Sequence, residues 1–213
     1  MAEALEIRGV CKSYRGVRVL EPVSFRVESG RRLVVVGANG SGKSTLLRII
    51  AQAERPDEGA VFYGGRDVRG ERAFVRRTLG YIPQDDALAG DLTVREQLSL
   101  WLAACGLKGK PDEGLLRMLG LDALLRKRIR DLSGGMRKRV SIALALAQQP
   151  EVLIADEATE GLDGAYRRAV LEYTADFLKR GGVVVWCTHR ADEWEPGEER
   201  LRLEAGKARP ETD

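Results

Sequence analysis

The chain has 213 residues, 44% of them hydrophobic, and its 35 basic side chains stand against 32 acidic ones for a net charge of +3. That length suits one domain with room for an inserted subdomain, and so small and interleaved a basic excess does not make a nucleic-acid-binding surface. No apolar run reaches the roughly 18 to 20 residues that cross a bilayer, and "MAEALEIRGV" lacks the basic segment and apolar core of a secretory leader, which implies a cytoplasmic chain.

In chain order, "ALEIRGVCKSY" and "PVSFRVESG" alternate apolar and polar residues as half-buried strands of an antiparallel sheet do. "RRLVVVGANG" is instead a continuous β-branched run ending in glycines, the pattern of a buried parallel strand. "GKSTLLRIIAQ" follows as a helix carrying Leu46, Leu47, Ile49 and Ile50, and the turn-rich "ERPDEG" stops it before a strand "AVFYGG". "TLGYIPQ" is a further strand. Thr93 and Glu96 in "LTVREQL" form a capping-box pattern that opens a helix with Leu98, Trp101, Leu102 and Cys105. Helix then dominates to about Arg130, so an inserted helical subdomain is expected from about residue 85, reaching about 150 once the helix after "SGG" is included. A strand "EVLIADE", a helix from Gly164 to Lys179 and a strand "GVVVWCTH" complete the pattern. Alternating strand and helix predict an α/β domain spanning 1–213, with a mostly parallel core sheet and an antiparallel β subdomain at its start. The tail "EAGKARPETD" is expected to fray. Cys11, Cys105 and Cys187 are widely spaced with no CxxC pair and read as core thiols.

Gly37, Ala38, Asn39, Gly40, Ser41, Gly42, Lys43 and Ser44 spell G-x-x-x-x-G-K-[ST] between a buried strand and a helix, where a phosphate-binding loop belongs. Its glycines let backbone N–H groups face phosphates, Lys43 reaches the β- and γ-phosphates, and Ser44 can coordinate magnesium. A glycine-rich turn with a solvated lysine is the plainer alternative. Asp156 and Glu157 close the apolar strand "VLIADE" at the sheet edge where ligands bind. There Asp156 would hold the magnesium shell and Glu157 would polarise a water attacking the γ-phosphate. Capping of the next helix is the competing role for this pair.

Taken together, these segments resemble the ATP-binding cassette ATPases of ABC transporters, over nearly the whole chain. "GANGSGKS" is similar to that family's Walker A loop and "VLIADE" to its Walker B strand. "LSGGM" resembles the signature sequence, "YIPQ" the Q-loop, "GLD" the D-loop and "CTH" the switch histidine, in the family's order. A signature turn about twenty residues before a Walker B strand is far more specific than the phosphate loop alone.

The resemblance implies a phosphate-loop NTPase fold, ATP and magnesium as ligands, and hydrolysis of ATP to ADP and phosphate. It implies that Ser133, Gly134 and Gly135 close over the ATP held by a second ATPase subunit, which explains why the turn carries no lysine. The N-terminus of the helix they open would present N–H donors to that anion. Tyr14 would stack on adenine, although a strand-end tyrosine is often a rim residue. Thr45 would join the nucleotide-binding residues. Gln84 would link magnesium and the attacking water to the helical subdomain, His189 would orient Glu157's water, and Asp163 would couple the two ATP sites or cap a helix. The family's signature glutamine is Met136 here, and small apolar Ala155 and Ala158 flank the carboxylates; hydrolysis is expected to survive these departures. Two basic clusters, "RKR" after the signature and "RKRIR" at 126–130, are expected to be solvated helix surface. The family role is to energise a separate transmembrane permease, docked between "PQDD" and "LTVREQL", from the cytoplasmic face. Met136 and the short C-terminal region resemble exporter subunits. A non-transport cassette ATPase, or a regulatory module that binds ATP without hydrolysis, is the alternative.

Overall fold

A computed structural model describes residues 3–194 and 197–211. The chain begins with β1 (Glu3–Tyr14), β2 (Val17–Glu28) and β3 (Arg32–Val36), then α1 (Lys43–Ile50), β4 (Glu58–Tyr63), β5 (Arg66–Asp67), α2 (Arg72–Thr78) and β6 (Leu79–Ile82). Three helices follow, α3 (Val94–Ala104), α4 (Glu113–Met118) and α5 (Gly134–Leu146). The chain then runs through β7 (Val152–Asp156), α6 (Gly164–Lys179), β8 (Val183–Cys187), β9 (Glu199–Glu204) and β10 (Lys207–Glu211).

β1 and β2 form a hairpin in which Tyr14 pairs with Val17 across a two-residue turn. Arg15 and Gly16 both take positive φ there, 50° and 82°, matching the right-handed twist of the flanking strands. With β4 and β5 they make a four-stranded antiparallel sheet ordered β2-β1-β4-β5; the alternating sequence predicts its β1–β2 part, while the two-residue β5 carries no sequence signal. The second sheet runs β10-β9-β3-β8-β7-β6, and its neighbours are parallel except for the terminal β9–β10 pair.

Two hydrophobic cores lie on the two faces of this second sheet, because side chains along a strand alternate sides. Val152 and Ile154 of β7, with Val183, Val185 and Cys187 of β8, pack into a core with Leu46, Leu47, Ile49 and Ile50 of α1 and the inner face of the antiparallel sheet. Leu153, Ala155, Val184 and Trp186 point the other way, into a core with α3, α4, α5 and α6. α1 and α5 therefore flank opposite faces of the sheet. The Thr93–Glu96 capping box forms, with Thr93 N donating to Glu96 Oε2 at 2.8 Å and Glu96 N to Thr93 Oγ1 at 3.2 Å.

The tail departs from expectation. Residues 207–211 pair along β9, with Leu203 opposite Ala208, and Arg202 reaches Glu211 at 2.5 Å, so this segment is a sheet edge as far as Glu211. Its sequence, mostly charged with a proline, carries no strand signal of its own; β9 supplies the hydrogen bonds. All three cysteines are buried thiols, as expected.

Candidate active site

The phosphate loop connects β3 to α1 at the carboxyl edge of the parallel sheet. Gly42 precedes α1 at φ 106°, and no side chain caps the helix there. The backbone N–H groups of its first turn are thus available to a bound anion. Glycine is required on packing grounds too: a Cβ at Gly37 would lie 2.2 Å from the Leu203 carbonyl oxygen, and one at Gly42 2.8 Å from Leu20 Cδ2. The loop is wedged against β2 and β9. Lys43 is 7% exposed, and its Nζ donates to the Gly37 carbonyl at 2.8 Å and the Ala38 carbonyl at 2.9 Å, so the ammonium spans its own loop. Ser44 stands on the first turn of α1, and the Thr45 hydroxyl accepts from Arg48 at 3.3 Å.

Asp156 ends β7 and Glu157 follows it with φ 52°, a left-handed conformation costing about 1–3 kcal/mol for a non-glycine residue. Glu157 N donates to the Cys187 carbonyl at 3.0 Å, which ties the turn to β8. His189, two residues beyond β8, places Nε2 2.8 Å from Glu157 Oε1. Burial lifts the Glu157 pKa above its ordinary value; the Glu160 carboxyl beside it pushes the same way, while the His189 charge opposes both. A carboxylate that holds a proton more readily than usual, with an imidazole nitrogen 2.8 Å away, is suited to accepting a proton from water.

Among the described residues, the buried side-chain polar atoms without a hydrogen-bond partner are Ser41 Oγ, Asp86 Oδ1 and Asp156 Oδ1. Each belongs to a segment already singled out: the phosphate loop, the loop after Gln84, and the end of β7. Asp156 is 2% exposed, and its charge helps raise the thiol of Cys187 and the phenol of Tyr81, the latter pushed up to about 12 with burial as the main cause. A buried, incompletely paired carboxylate at the end of β7 fits a divalent cation such as magnesium, the group that Asp156, with Ser44 and Gln84, is expected to hold.

Tyr14 ends β1, is 39% exposed, and donates its hydroxyl to Glu54, which also meets Lys12 at 3.5 Å and Arg48 at 3.3 Å. Lys12 Nζ lies 5.6 Å from the Tyr14 ring centroid. Asp163 accepts from Ala165 N and Tyr166 N at 3.2 Å and so caps α6. Ser133 caps α5, accepting from Met136 N at 3.3 Å. The two signature glycines differ: a Cβ on Gly134 would meet open space, whereas one on Gly135 would lie 2.6 Å from the Gly161 carbonyl oxygen. Gly135 is therefore where the signature turn presses on the "GLD" segment of its own chain. Ala155 and Ala158 are fully buried.

The structure overturns the solvated reading of "RKR". Lys138 and Arg139 are 6% and 7% exposed. Arg139 Nη1 donates to the Leu119 carbonyl at 2.9 Å, and its guanidinium lies 4.0 Å over the Tyr166 ring. Lys138 Nζ donates to the carbonyls of Pro83 and Gln84. The reason is that α5 is enclosed by β6, α3 and α4 and has no broad solvent face. The run at 126–130 is solvated as expected, with Arg126, Lys127, Arg128 and Arg130 exposed, but it lies on a turn that leads into one short 3-10 turn at Ile129–Asp131 and not on a helix face.

Glu193 was not singled out by sequence. Its fully buried carboxylate accepts from Thr159 Oγ1, from Arg167 Nε at 3.1 Å and from Trp186 Nε1 at 3.2 Å. It thus joins the Glu157 turn, α6 and β8. It lies in the charge-rich "RADEWEPGEE", where nothing in the spacing separates one buried glutamate from its solvated neighbours. A cavity of about 1020 Å³ opens at the other end of the sheet, lined by Tyr63, Thr78, Glu151, Tyr173, Phe177 and Gly182. It adjoins the amino ends of the strands, whereas the groups with phosphate chemistry collect at the carboxyl ends, where ligands of open α/β sheets bind.

Residues 20–160 match a family model described as ABC transporter. The Nod factor export ATP-binding protein I of Rhizobium etli is 34% identical over 210 residues, covering 96% of this chain and 66% of that protein. The Fe(3+) ions import ATP-binding protein FbpC 1 of Rhodococcus jostii is 39% identical over 197 residues, covering 91% of this chain and 57% of that protein. The chain thus spans between about half and two thirds of the length of these curated relatives. Among solved structures, an ATP binding subunit of an ABC transporter superposes with a TM-score of 0.89 at 29% identity, covering 98% of this chain and 90% of that one. A dimeric ATP-binding cassette in a post-hydrolysis state, bound to ADP and Pi, gives 0.88 at 27% identity with 98% of both chains covered.

Proposed function

The chain belongs to the ABC transporter ATP-binding family, and from that premise we propose that it binds ATP and hydrolyses it between two ATPase subunits. The observation that carries the reading is the 2.8 Å contact between Glu157 and His189 at the carboxyl ends of neighbouring strands. The same sheet edge carries the phosphate loop and the unpartnered Asp156 oxygen.

In this reading the first turn of α1 and Lys43 hold the phosphates, and Tyr14 offers a ring face to the base. Glu157 accepts the proton of a water aimed at the γ-phosphorus, in line with the leaving ADP oxygen. His189 fixes the Glu157 carboxylate through Nε2 and keeps that water oriented. Asp156, Ser44 and Gln84 would hold a magnesium ion, which would supply charge neutralisation on the phosphates. Ser133 and the open backbone at Gly134 face the nucleotide of the second subunit, and Asp163 lies near that boundary. Two facts of the fold support the shared pocket: α5 and α1 flank opposite faces of one sheet, and no cation stands in the signature turn itself. A dimeric cassette with ADP and Pi is among the similar structures.

Energy from closure and hydrolysis would pass to a separate transmembrane permease on the cytoplasmic side. Among the described residues no helix is long and apolar enough to cross a membrane. The receiving surface lies between the Gln84 loop and α3, which are joined by Ala89 N donating to Gln97 Oε1 at 3.1 Å. An export and an import protein match this chain at similar identity, so the proposal extends to transport coupling without assigning its direction.

The test is complementation. Lys43→Ala and Ser133→Ala variants are each expected to be inactive as homodimers. A mixed dimer contains one pocket with both Lys43 and Ser133 intact and should recover ATPase activity. Mixed dimers that form and remain inactive would overturn the shared pocket.

A further inference from the structure

The roles given to Ser133 and Gln84 leave unexplained the buried ammonium between them. Lys138 sits in α5, five residues beyond the Ser133 cap, and is 6% exposed. Its Nζ donates to the Pro83 carbonyl at 2.9 Å and the Gln84 carbonyl at 2.8 Å, and lies 3.4 Å from Asp86 Oδ1. An ammonium has three donors, and these three contacts all fall in one short loop, Pro83 to Asp86. The Asp86 oxygen is buried with no hydrogen-bond partner, so Lys138 is the charge it faces. A buried pair is a weak source of stability, since well-packed apolar residues often replace one without loss. What this one supplies is register: the backbone of Gln84 is fixed to α5 while the Gln84 side chain stays exposed. One turn earlier in the same helix, Gly135 meets the Gly161 carbonyl, so the start of α5 is braced at a second point.

We infer that Lys138 is a positioning residue that makes the Gln84 loop and the Ser133–Gly135 turn move as one body. A displacement of Gln84 by the nucleotide of its own chain is thereby delivered to the turn that closes the partner's pocket. The inference rests on the two-subunit reading above.

The test uses the full chain as wild type, Lys138→Met and the double variant Lys138→Met/Asp86→Asn, each also in a Glu157→Gln background that slows hydrolysis. The double variant removes both charges and so avoids the unpaired buried aspartate that could unfold the single one. Measurements are thermal melting, equilibrium binding of a fluorescent ATP analogue, ATP-dependent dimerisation of the Glu157→Gln forms by light scattering, and steady-state kcat and KM. The expected result is a double variant that melts close to wild type and keeps its nucleotide affinity within about twofold, yet loses kcat and ATP-dependent dimerisation by about tenfold, within the range of couplings between sites. A double variant that dimerises and turns over like wild type overturns the inference, because the pair then only neutralises itself. Nucleotide affinity that falls in step with dimerisation also overturns it, because the pair then supports its own pocket rather than a link. A wild-type chain that binds no nucleotide, or a Glu157→Gln form that stays monomeric at saturating ATP, overturns the two-subunit reading itself and is recognised in the controls.

Discussion

Gly134 and Gly135 are adjacent and both look dispensable as helix residues, yet the structure gives them opposite consequences on substitution. Alanine at 135 puts a Cβ 2.6 Å from the Gly161 carbonyl oxygen. Ordinary van der Waals contact begins at 3.4 Å, so α5 or the Gly161 turn must retreat by 3.4 − 2.6 = 0.8 Å. Neither neighbour can yield cheaply: α5 is enclosed, and the Gly161 turn is held by Asp163 capping α6. Overpacking of this kind costs about 1–3 kcal/mol. Alanine at 134 meets nothing within 4 Å, lies in the first turn of α5 and exchanges glycine for the best helix former, a gain of up to about 1 kcal/mol. Urea unfolding followed by circular dichroism should therefore show Gly135→Ala destabilised by about 1–3 kcal/mol and Gly134→Ala unchanged or slightly stabilised. In a chain of this size each kcal/mol moves Tm by about 2–4 °C. ATPase activity should separate them in the other sense, with Gly134→Ala losing turnover while remaining fully folded, because its open face is the one that meets the partner's phosphate. A Gly134→Ala protein destabilised as much as Gly135→Ala would refute the assignment of Gly135 to the in-chain brace.

Glu193→Ala removes the acceptor shared by Thr159, Trp186 and Arg167; Arg167 keeps Asp192 at 2.7 Å, but the buried Thr159 and Trp186 donors lose their partner, so a loss of about 1–3 kcal/mol is expected in denaturant titration. Tyr14→Ala should weaken ATP binding by about 2- to 12-fold, the equivalent of about 0.5–1.5 kcal/mol for an aromatic contact, while Tyr14→Phe retains affinity in the same assay. The Asp57 carboxylate is held below its ordinary value of 3.8, first by the Ser13 backbone N–H at 2.7 Å and then by Lys12. Because its folded pKa is depressed, the stability it contributes is present above 3.8 and is lost as pH falls through the lower folded value. Asp57→Asn should consequently melt below wild type at neutral pH, and the two curves should converge on acidification below 3.8.

The sequence by itself determined the segments whose signal is local. The alternation in β1 and β2, the β-branched run of β3, the Thr93–Glu96 cap and the glycine spacing of the phosphate loop each report a constraint satisfied within a few neighbouring residues. That is why α6 lies at Gly164–Lys179 as the pattern predicts, and why Asp156, Glu157 and His189 meet at one sheet edge once their strands pair. Tertiary structure alone decided what depends on partners distant in the chain. The final strand takes its hydrogen bonds from β9 and leaves no pattern in its own composition. Lys138 and Arg139 read as solvent-facing charges until α5 is enclosed, when their acceptors turn out to be carbonyls some 55 and 20 residues away. Glu193 has donors on three separate elements, and Gly135 owes its identity to a carbonyl in another loop. A motif states which atoms the chemistry needs; which of its residues bear on phosphate and which brace the chain is set by packing, and packing is a property of the assembled fold.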